Sequence, residues 1–263
     1  MDVKIVIATH KEYEMPSDKM YLPLEVGAAC RERHTDYQKD DVGENISAKN
    51  PGFSELTGLY WAWKNLDDDY VGLVHYRRYF AKGRVFGNPK ERLEKVLTSD
   101  QISEILEDTE IILPGVRKYY IENLYDHYAH TMYVEPLDMT GEIIQERFPE
   151  YHKEFLNLHK RKSAHMFNMM VMKKEVLNDY CEWLFAILFE LERRVSEKSL
   201  KYDEFHGRFY GRVSELLLDV YIRTNGLKYK ELKAVSIEPV NWVKKGGSFA
   251  RAKITGKKYE SSF

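Results

Sequence analysis

Residues 70–80 read YVGLVHYRRYF. The apolar run Tyr70 to Val74 ends abruptly in one histidine and two adjacent arginines, bracketed by aromatic rings. Such a run, entered through the turn-forming Asp67-Asp68-Asp69, predicts a buried core strand that delivers basic side chains at its C-terminal end. Upstream, Val3 to Ala8 (VKIVIA) is a second β-branched run, and it ends in Thr9-His10-Lys11. Ser54 to Leu66 has helical spacing, with Leu56, Leu59, Tyr60 and Trp63 on one face and Ser54 as a plausible N-cap. Strands alternating with helices define an α/β class with a mainly parallel sheet. In open sheets of that class, ligands bind beyond the carboxyl ends of the strands, where His10 and His75 to Arg78 are expected.

The rest of the chain follows the same alternation. Lys90 to Leu106 predicts a helix in two pieces, the second capped by Ser99 or Asp100, and Glu110 to Leu113 a strand stopped by Pro114-Gly115. Tyr119 to Tyr133 reads as a Tyr/His-rich helix or lid, and Leu137 to Leu158 as two helices split at Pro149. Met166 to Met172 predicts a buried strand, Lys174 to Arg194 the longest helix, and Gly211 to Thr224 a helix stopped by Asn225-Gly226. Ser17 to Gly27 and Asp40 to Gly52 read as loops, and the lysine-rich stretch from Lys228 is weakly patterned. The expected organisation is one domain over 1–225 and a basic extension over 226–263.

Composition narrows the function classes. The chain has 263 residues, 43% hydrophobic and 31% charged, with a net charge of −2. That is a globular balance, and it argues against a general nucleic-acid binder. Aromatic residues reach 13%, led by 19 tyrosines, whose flat faces and hydroxyls suit polar, ring-shaped ligands. Cys30 and Cys181 form neither a disulfide framework nor a cysteine metal site. Neither a leader nor a membrane-crossing run is recognisable, so a cytoplasmic setting is expected.

Several side chains could carry chemistry. Arginine presents a planar fork of donors matched to phosphate oxygens, so Arg77 and Arg78 suit a diphosphate; surface ion pairing is their plainer reading. His10 and Lys11 could complete an anion-binding crevice with His75. Asp41, in a turn-rich loop, could hold a ribose or base. His127 and His130 share a helix face at i,i+3, with Tyr128 nearby, but no third metal ligand stands out. His165 and Asn168 open a buried strand, where an amide must find a hydrogen bond or a ligand hydroxyl. Glu215 heads an apolar helix, so it is either paired with Arg208 or Arg212 or held as a base; Asp138 is a second possible base. No Gly-rich phosphate loop, GxSxG or HExxH occurs.

Four stretches together carry a resemblance: ATHKEY (8–13), DDVGENISAKNPGFSELTGLYWAWKN (40–65), YVGLVHYRRYF (70–80), and HMFNMMVM (165–172) with RFYGRVSELLLDVY (208–221). They resemble the bacterial capsular and exopolysaccharide biosynthesis glycosyltransferases whose domain was long catalogued as of unknown function, some of them galactofuranosyltransferase-like. The resemblance implies a GT-A-like, Rossmann-related fold with a helical C-terminal portion. It also implies transfer of a hexose, galactofuranose or another, from a nucleotide-diphosphate donor such as a UDP-sugar to a lipid-linked or oligosaccharide acceptor. The expected mechanism is inverting. Donor contacts are expected from His10, Lys11, Asp41, His75, Arg77 and Arg78, acceptor contacts from Tyr128, His130, His165 and Asn168, and a base from Glu215 or Asp138. Ser214-Glu215-Leu216-Leu217 stand where the family has Ser-Glu-Arg-Leu, so the arginine of that position is missing here. GT-A enzymes usually hold the diphosphate through Mn²⁺ or Mg²⁺ on an Asp-x-Asp; here the strand end is cationic, so no metal residues are assigned and fixed cations are expected to replace, or largely replace, the metal. A catalytically inactive nucleotide- or carbohydrate-binding module on the same fold is the alternative. The basic C-terminus could contact the inner face of the plasma membrane.

Overall fold

The computed structural model describes residues 1–83 and 85–238. The described strands are β1 (Val3–Thr9), β2 (Tyr21–Glu25), β3 (Gln38–Lys39), β4 (Tyr70–His75), β5 (Arg78–Ala81), β6 (Ile111–Pro114), β7 (Arg117–Lys118), β8 (Ser163–Ala164), β9 (Met170–Lys173) and β10 (Lys230–Ser236). The described helices are α1 (Asn50–Phe53), α2 (Leu56–Asn65), α3 (Pro89–Leu93), α4 (Ser99–Leu106), α5 (Leu124–Thr131), α6 (Glu135–Arg147), α7 (Pro149–His159), α8 (Lys174–Glu197) and α9 (Phe209–Thr224). They fall into two compact units. The first holds Met1–Gly115, Met166–Glu182 and the strand β10; the second holds Val116–His165 and Trp183–Leu227.

The first unit is built on β1 and β4. They pair in parallel from Val3↔Tyr70 to Ala8↔His75, so both strands end at the same sheet edge. Strands β2 and β3 extend this parallel side. Pro23 lies within β2, in a segment the sequence reads as loop; it faces Ile7 where β3 does not yet pair, so its missing N–H leaves no ladder bond unmade. On the other side β9 runs antiparallel to both β4 and β6. After His75 the chain reverses within two residues, and β5 pairs antiparallel with β10, which runs parallel to β6. Strands β4, β5, β10, β6 and β9 therefore close on one another. The α/β class holds, but the sheet is mixed rather than mainly parallel, because the Tyr76-Arg77 turn and the returning β9 reverse direction. Lys230 to Ser236, assigned by sequence to the basic extension, form a strand of this sheet. Residues beyond 238, including Lys244, Lys245 and Lys257, lie outside the described residues.

Ile5, Ile7, Val74, Tyr79, Phe80 and Val171 pack into one buried cluster. Gly72 lets β9 approach β4 closely: a Cβ at this position would stand 2.7 Å from the Met170 carbonyl oxygen.

The second unit is helical apart from the two-residue ladder of β7 and β8. Gly141 of α6 accommodates the Phe155 ring of α7, which a Cβ would meet at 2.9 Å. Tyr151, Trp183 and Tyr221 form an aromatic cluster, with Tyr151 and Trp183 centroids 4.7 Å apart. Beside it, His159 lies 4.4 Å from the Phe155 ring. Burial first, and the charge of His152 second, depress the His159 pKa from 6.5 to about 4. The unfolded chain accepts this proton near the ordinary value and the folded chain resists it, so stability present above pH 6.5 is lost toward pH 4. Thermal scans of the wild type are expected to show the melting temperature falling across this window, and His159→Phe to flatten the fall. An unchanged pH profile in that variant would remove His159 as the cause.

Among the described residues, no helix is long and apolar enough to cross a membrane.

Candidate functional site

The carboxyl edge of β1 and β4 gathers a cationic and aromatic cluster inside the first unit. Tyr76, in the turn after β4, stacks on Tyr13 with centroids 4.2 Å apart and an interplanar angle of 25°. His10 packs edge-on to Tyr76 at 5.2 Å, and the Arg77 guanidinium lies 4.7 Å from the Tyr76 ring centre. The Lys11 ammonium sits 5.0 Å from the Tyr13 ring. The Tyr37 hydroxyl anchors the Tyr13 backbone on both sides, donating to its carbonyl at 2.9 Å and accepting from its N–H at 3.2 Å. Arg31 donates to the His10 carbonyl at 2.8 Å. Burial, then the contact with Tyr13, pushes the Tyr76 pKa up to about 12. His10, Lys11 and Arg77 are exposed, and Arg77 has an ion pair with Glu238 at 3.3 Å. Of the residues expected to form one crevice, His10, Lys11 and Arg77 lie against the stacked Tyr13 and Tyr76 rings.

His75 and Arg78 share this edge but face another neighbour. The His75 Nε2–H donates to the Phe167 carbonyl, and the Arg78 guanidinium lies 4.4 Å from the Phe167 ring centre. Asn168 is buried and donates to Glu55 Oε1 at 2.7 Å. Glu55 immediately precedes α2, while Ser54, the expected cap, takes a left-handed φ of 51°. Sequence reasoning missed Glu55 and Phe167, because neither belongs to a charged or polar cluster in the linear chain. Asp41 is exposed, and its carbonyl accepts from Asn45. Its buried neighbour Asp40 instead accepts from the Gly27 and Ala28 N–H groups at 2.8 and 3.0 Å, from Thr57 at 2.7 Å and from Ser47. The acid of this pair with the structural role is Asp40, which ties the loop to α2.

The remaining expected residues lie in the second unit. The Nδ1–H groups of His127 and His130 both donate to the buried Glu122 carboxylate, each at 2.7 Å. Burial raises the Glu122 pKa and the two imidazoles outweigh it, so its carboxyl sits below the usual range. Among the described residues no group of three or more His, Cys, Asp and Glu is arranged to hold a metal ion. Tyr128 and His165 are buried. Burial pushes the Tyr128 hydroxyl pKa upward. His165 is enclosed with Asp219 and donates to its carboxylate, through Nδ1–H at 2.9 Å and through the backbone N–H at 2.8 Å. Glu215 is buried and accepts from the exposed Arg212 at 3.5 Å, while Arg208 pairs with Glu204 at 2.8 Å. Asp138 is exposed and accepts from the Tyr125 hydroxyl at 3.0 Å.

Residues 4–226 match a family model described as a domain of unknown function, DUF4422. The chain belongs to that family. The match takes in both strand ends of the cationic edge and the Glu55 and Asn168 pair, and it stops four residues before β10. Among solved structures, the DUF4422 chain is similar to the WbbM bifunctional glycosyltransferase in its apo form, with a TM-score of 0.81 and 29% sequence identity. The similarity covers 91% of this chain and 46% of that one, so the chain spans about half the length of its solved relative. No curated protein matches. The fold is thus shared with part of a bifunctional glycosyltransferase, while the matching family model names no activity.

Proposed function

We propose that the chain is a glycosyltransferase that receives a nucleotide-sugar donor, a UDP-hexose, at the carboxyl edge of β1 and β4. The observation that carries this reading is the gathering of His10, Lys11 and Arg77 around the Tyr13 and Tyr76 rings at that edge. Arg77 offers a donor fork to the diphosphate, Lys11 a point charge, and His10 a further donor. An aromatic face beside them suits a uracil base. Likeness to the WbbM glycosyltransferase supports the reaction class. The transferred hexose, galactofuranose included, goes to a growing capsular or exopolysaccharide repeat unit with inversion at the anomeric carbon. Inversion needs a carboxylate to take the acceptor proton. The cations place fixed positive charge where negative charge grows on the departing diphosphate, which lowers the barrier electrostatically.

Release of UDP from a panel of UDP-hexoses tests this directly, with and without EDTA. Release that survives EDTA is the expected result. Activity that vanishes in EDTA and returns with Mn²⁺ would overturn the role of fixed cations in place of a metal. Thermal protection by UDP with no release from any donor would favour a binding module that keeps the fold without the chemistry.

A further inference from the structure

Phe167 and Asn168 precede β9 with φ values of 82° and 49°. Asparagine enters the left-handed region readily, but a phenylalanine there is a genuine outlier for a bulky side chain. Such a backbone persists only where its surroundings over-determine it, and strain of this kind gathers at ligand clamps and active sites. Three contacts hold it here. The His75 ring donates to the Phe167 carbonyl, the Arg78 guanidinium covers the Phe167 ring at 4.4 Å, and the Asn168 amide donates to Glu55 at 2.7 Å. Asn168 is 1% exposed, while Glu55 is half-buried, so the pair joins an interior amide to a carboxylate that solvent reaches.

The position matters as much as the strain. Asn168 lies two residues before Met170, which pairs with Leu73, so it sits at the end of β4 that delivers His75. Glu55 lies at the start of α2, where Gly58 packs against Leu24, Val26 and Ala8 at the ends of β1 and β2. Both residues therefore belong to the carboxyl edge that carries Arg77 and His10. A carboxylate can accept about four hydrogen bonds, and Asn168 supplies one of them; an amide both donates and accepts. Together they form the donor–acceptor set that matches adjacent hydroxyls of a sugar ring.

We propose that Glu55 and Asn168 recognise the hexose of the donor, and that His75 and Arg78 are positioning residues that act through Phe167. The assignment rests on the donor-edge reading above and divides its labour: Arg77 and Lys11 meet the diphosphate, while Glu55 and Asn168 meet the sugar. It also gives His75 and Arg78 a task other than direct phosphate contact.

The experiment compares kcat/KM for the best UDP-hexose with kcat/KM for its monodeoxy analogues, alongside UDP affinity by calorimetry. Glu55→Gln is expected to lower kcat/KM for the full sugar about 100-fold and to lower that of one deoxy analogue far less, because sites built to bind a hydroxyl discriminate through it. UDP affinity is expected to stay within about twofold of wild type, since the diphosphate contacts remain. Asn168→Asp serves as a second variant should Glu55→Gln fail to fold. His75→Ala is expected to lose the discrimination and His75→Gln, whose amide can still donate to the Phe167 carbonyl, to keep it. An equal loss for the full sugar and every deoxy analogue would overturn the assignment, marking the pair as structural. Wild-type protein that binds no UDP would instead overturn the donor-edge reading beneath it.

Discussion

Arg77→Ala is expected to weaken UDP binding about 100-fold, which corresponds to the loss of one or two hydrogen bonds to a charged group. The size follows from the chemistry of the fork. A guanidinium donates two parallel N–H bonds to phosphate oxygens, and each is stronger than a neutral hydrogen bond. The Tyr76 ring beneath Arg77, 4.7 Å from its central carbon, narrows the positions the side chain can take. Its ion pair with Glu238 is exposed on both sides, with side chains 49% and 48% accessible, so breaking it contributes little to stability. The variant should therefore fold, and the loss should be read in binding alone. Arg77→Lys keeps the charge but not the planar fork, so an intermediate loss of about tenfold is expected. Calorimetry against UDP decides the matter: affinity unchanged in Arg77→Ala would remove this residue from the donor site.

The largest effect on stability is expected from Asp219→Ala. His165 and Asp219 are both inaccessible to solvent, and the carboxylate accepts from the His165 ring and backbone together. Breaking a buried pair by removing one partner costs about 3–5 kcal/mol, because the other loses the charge and hydrogen bonds that offset its burial. For a protein of this size that amounts to a fall in melting temperature of roughly 10 °C. The pH dependence has a definite sign. Burial tends to raise the Asp219 pKa, but the hydrogen bonds and charge of His165, with the charge of Arg161, hold it below its ordinary 3.8. A carboxyl depressed in the folded state contributes stability above its unfolded value and loses it as pH falls through the folded one. The gap between wild type and Asp219→Ala should therefore be full at neutral pH and shrink below about pH 4. Calorimetric melts of both proteins from pH 7 to pH 3 check this; a gap under about 1 kcal/mol at pH 7 would show that the pair adds little, as replaced buried pairs sometimes do.

Much of the architecture was legible in the linear chain. Apolar runs at Val3 to Ala8 and Tyr70 to Val74, and helical spacing over Lys174 to Arg194, become β1, β4 and α8. These patterns survive because each buried segment must expose one period to one core. Strand β10 was not legible: its charged sequence KELKAVS is largely exposed, and only pairing with β5 and β6 makes it a strand. The direction of β5 and β9 was equally hidden, since a two-residue reversal at Tyr76-Arg77 leaves no periodic trace.

The candidate site divides in the same way. By itself the sequence determined that basic side chains follow two buried strands, and that a buried asparagine would need a partner, because those conclusions depend on residue type and near neighbours. Only the tertiary structure decided that His10 and Arg77 share one tyrosine platform and that the partner of Asn168 is Glu55, 113 residues away. It alone turned His75 and Arg78 toward Phe167, and enclosed Tyr128 and His165 in the interior. The physical reason is that hydrogen bonding and burial act through distances in space, and strand pairing brings together groups whose separation along the chain carries no mark of their meeting.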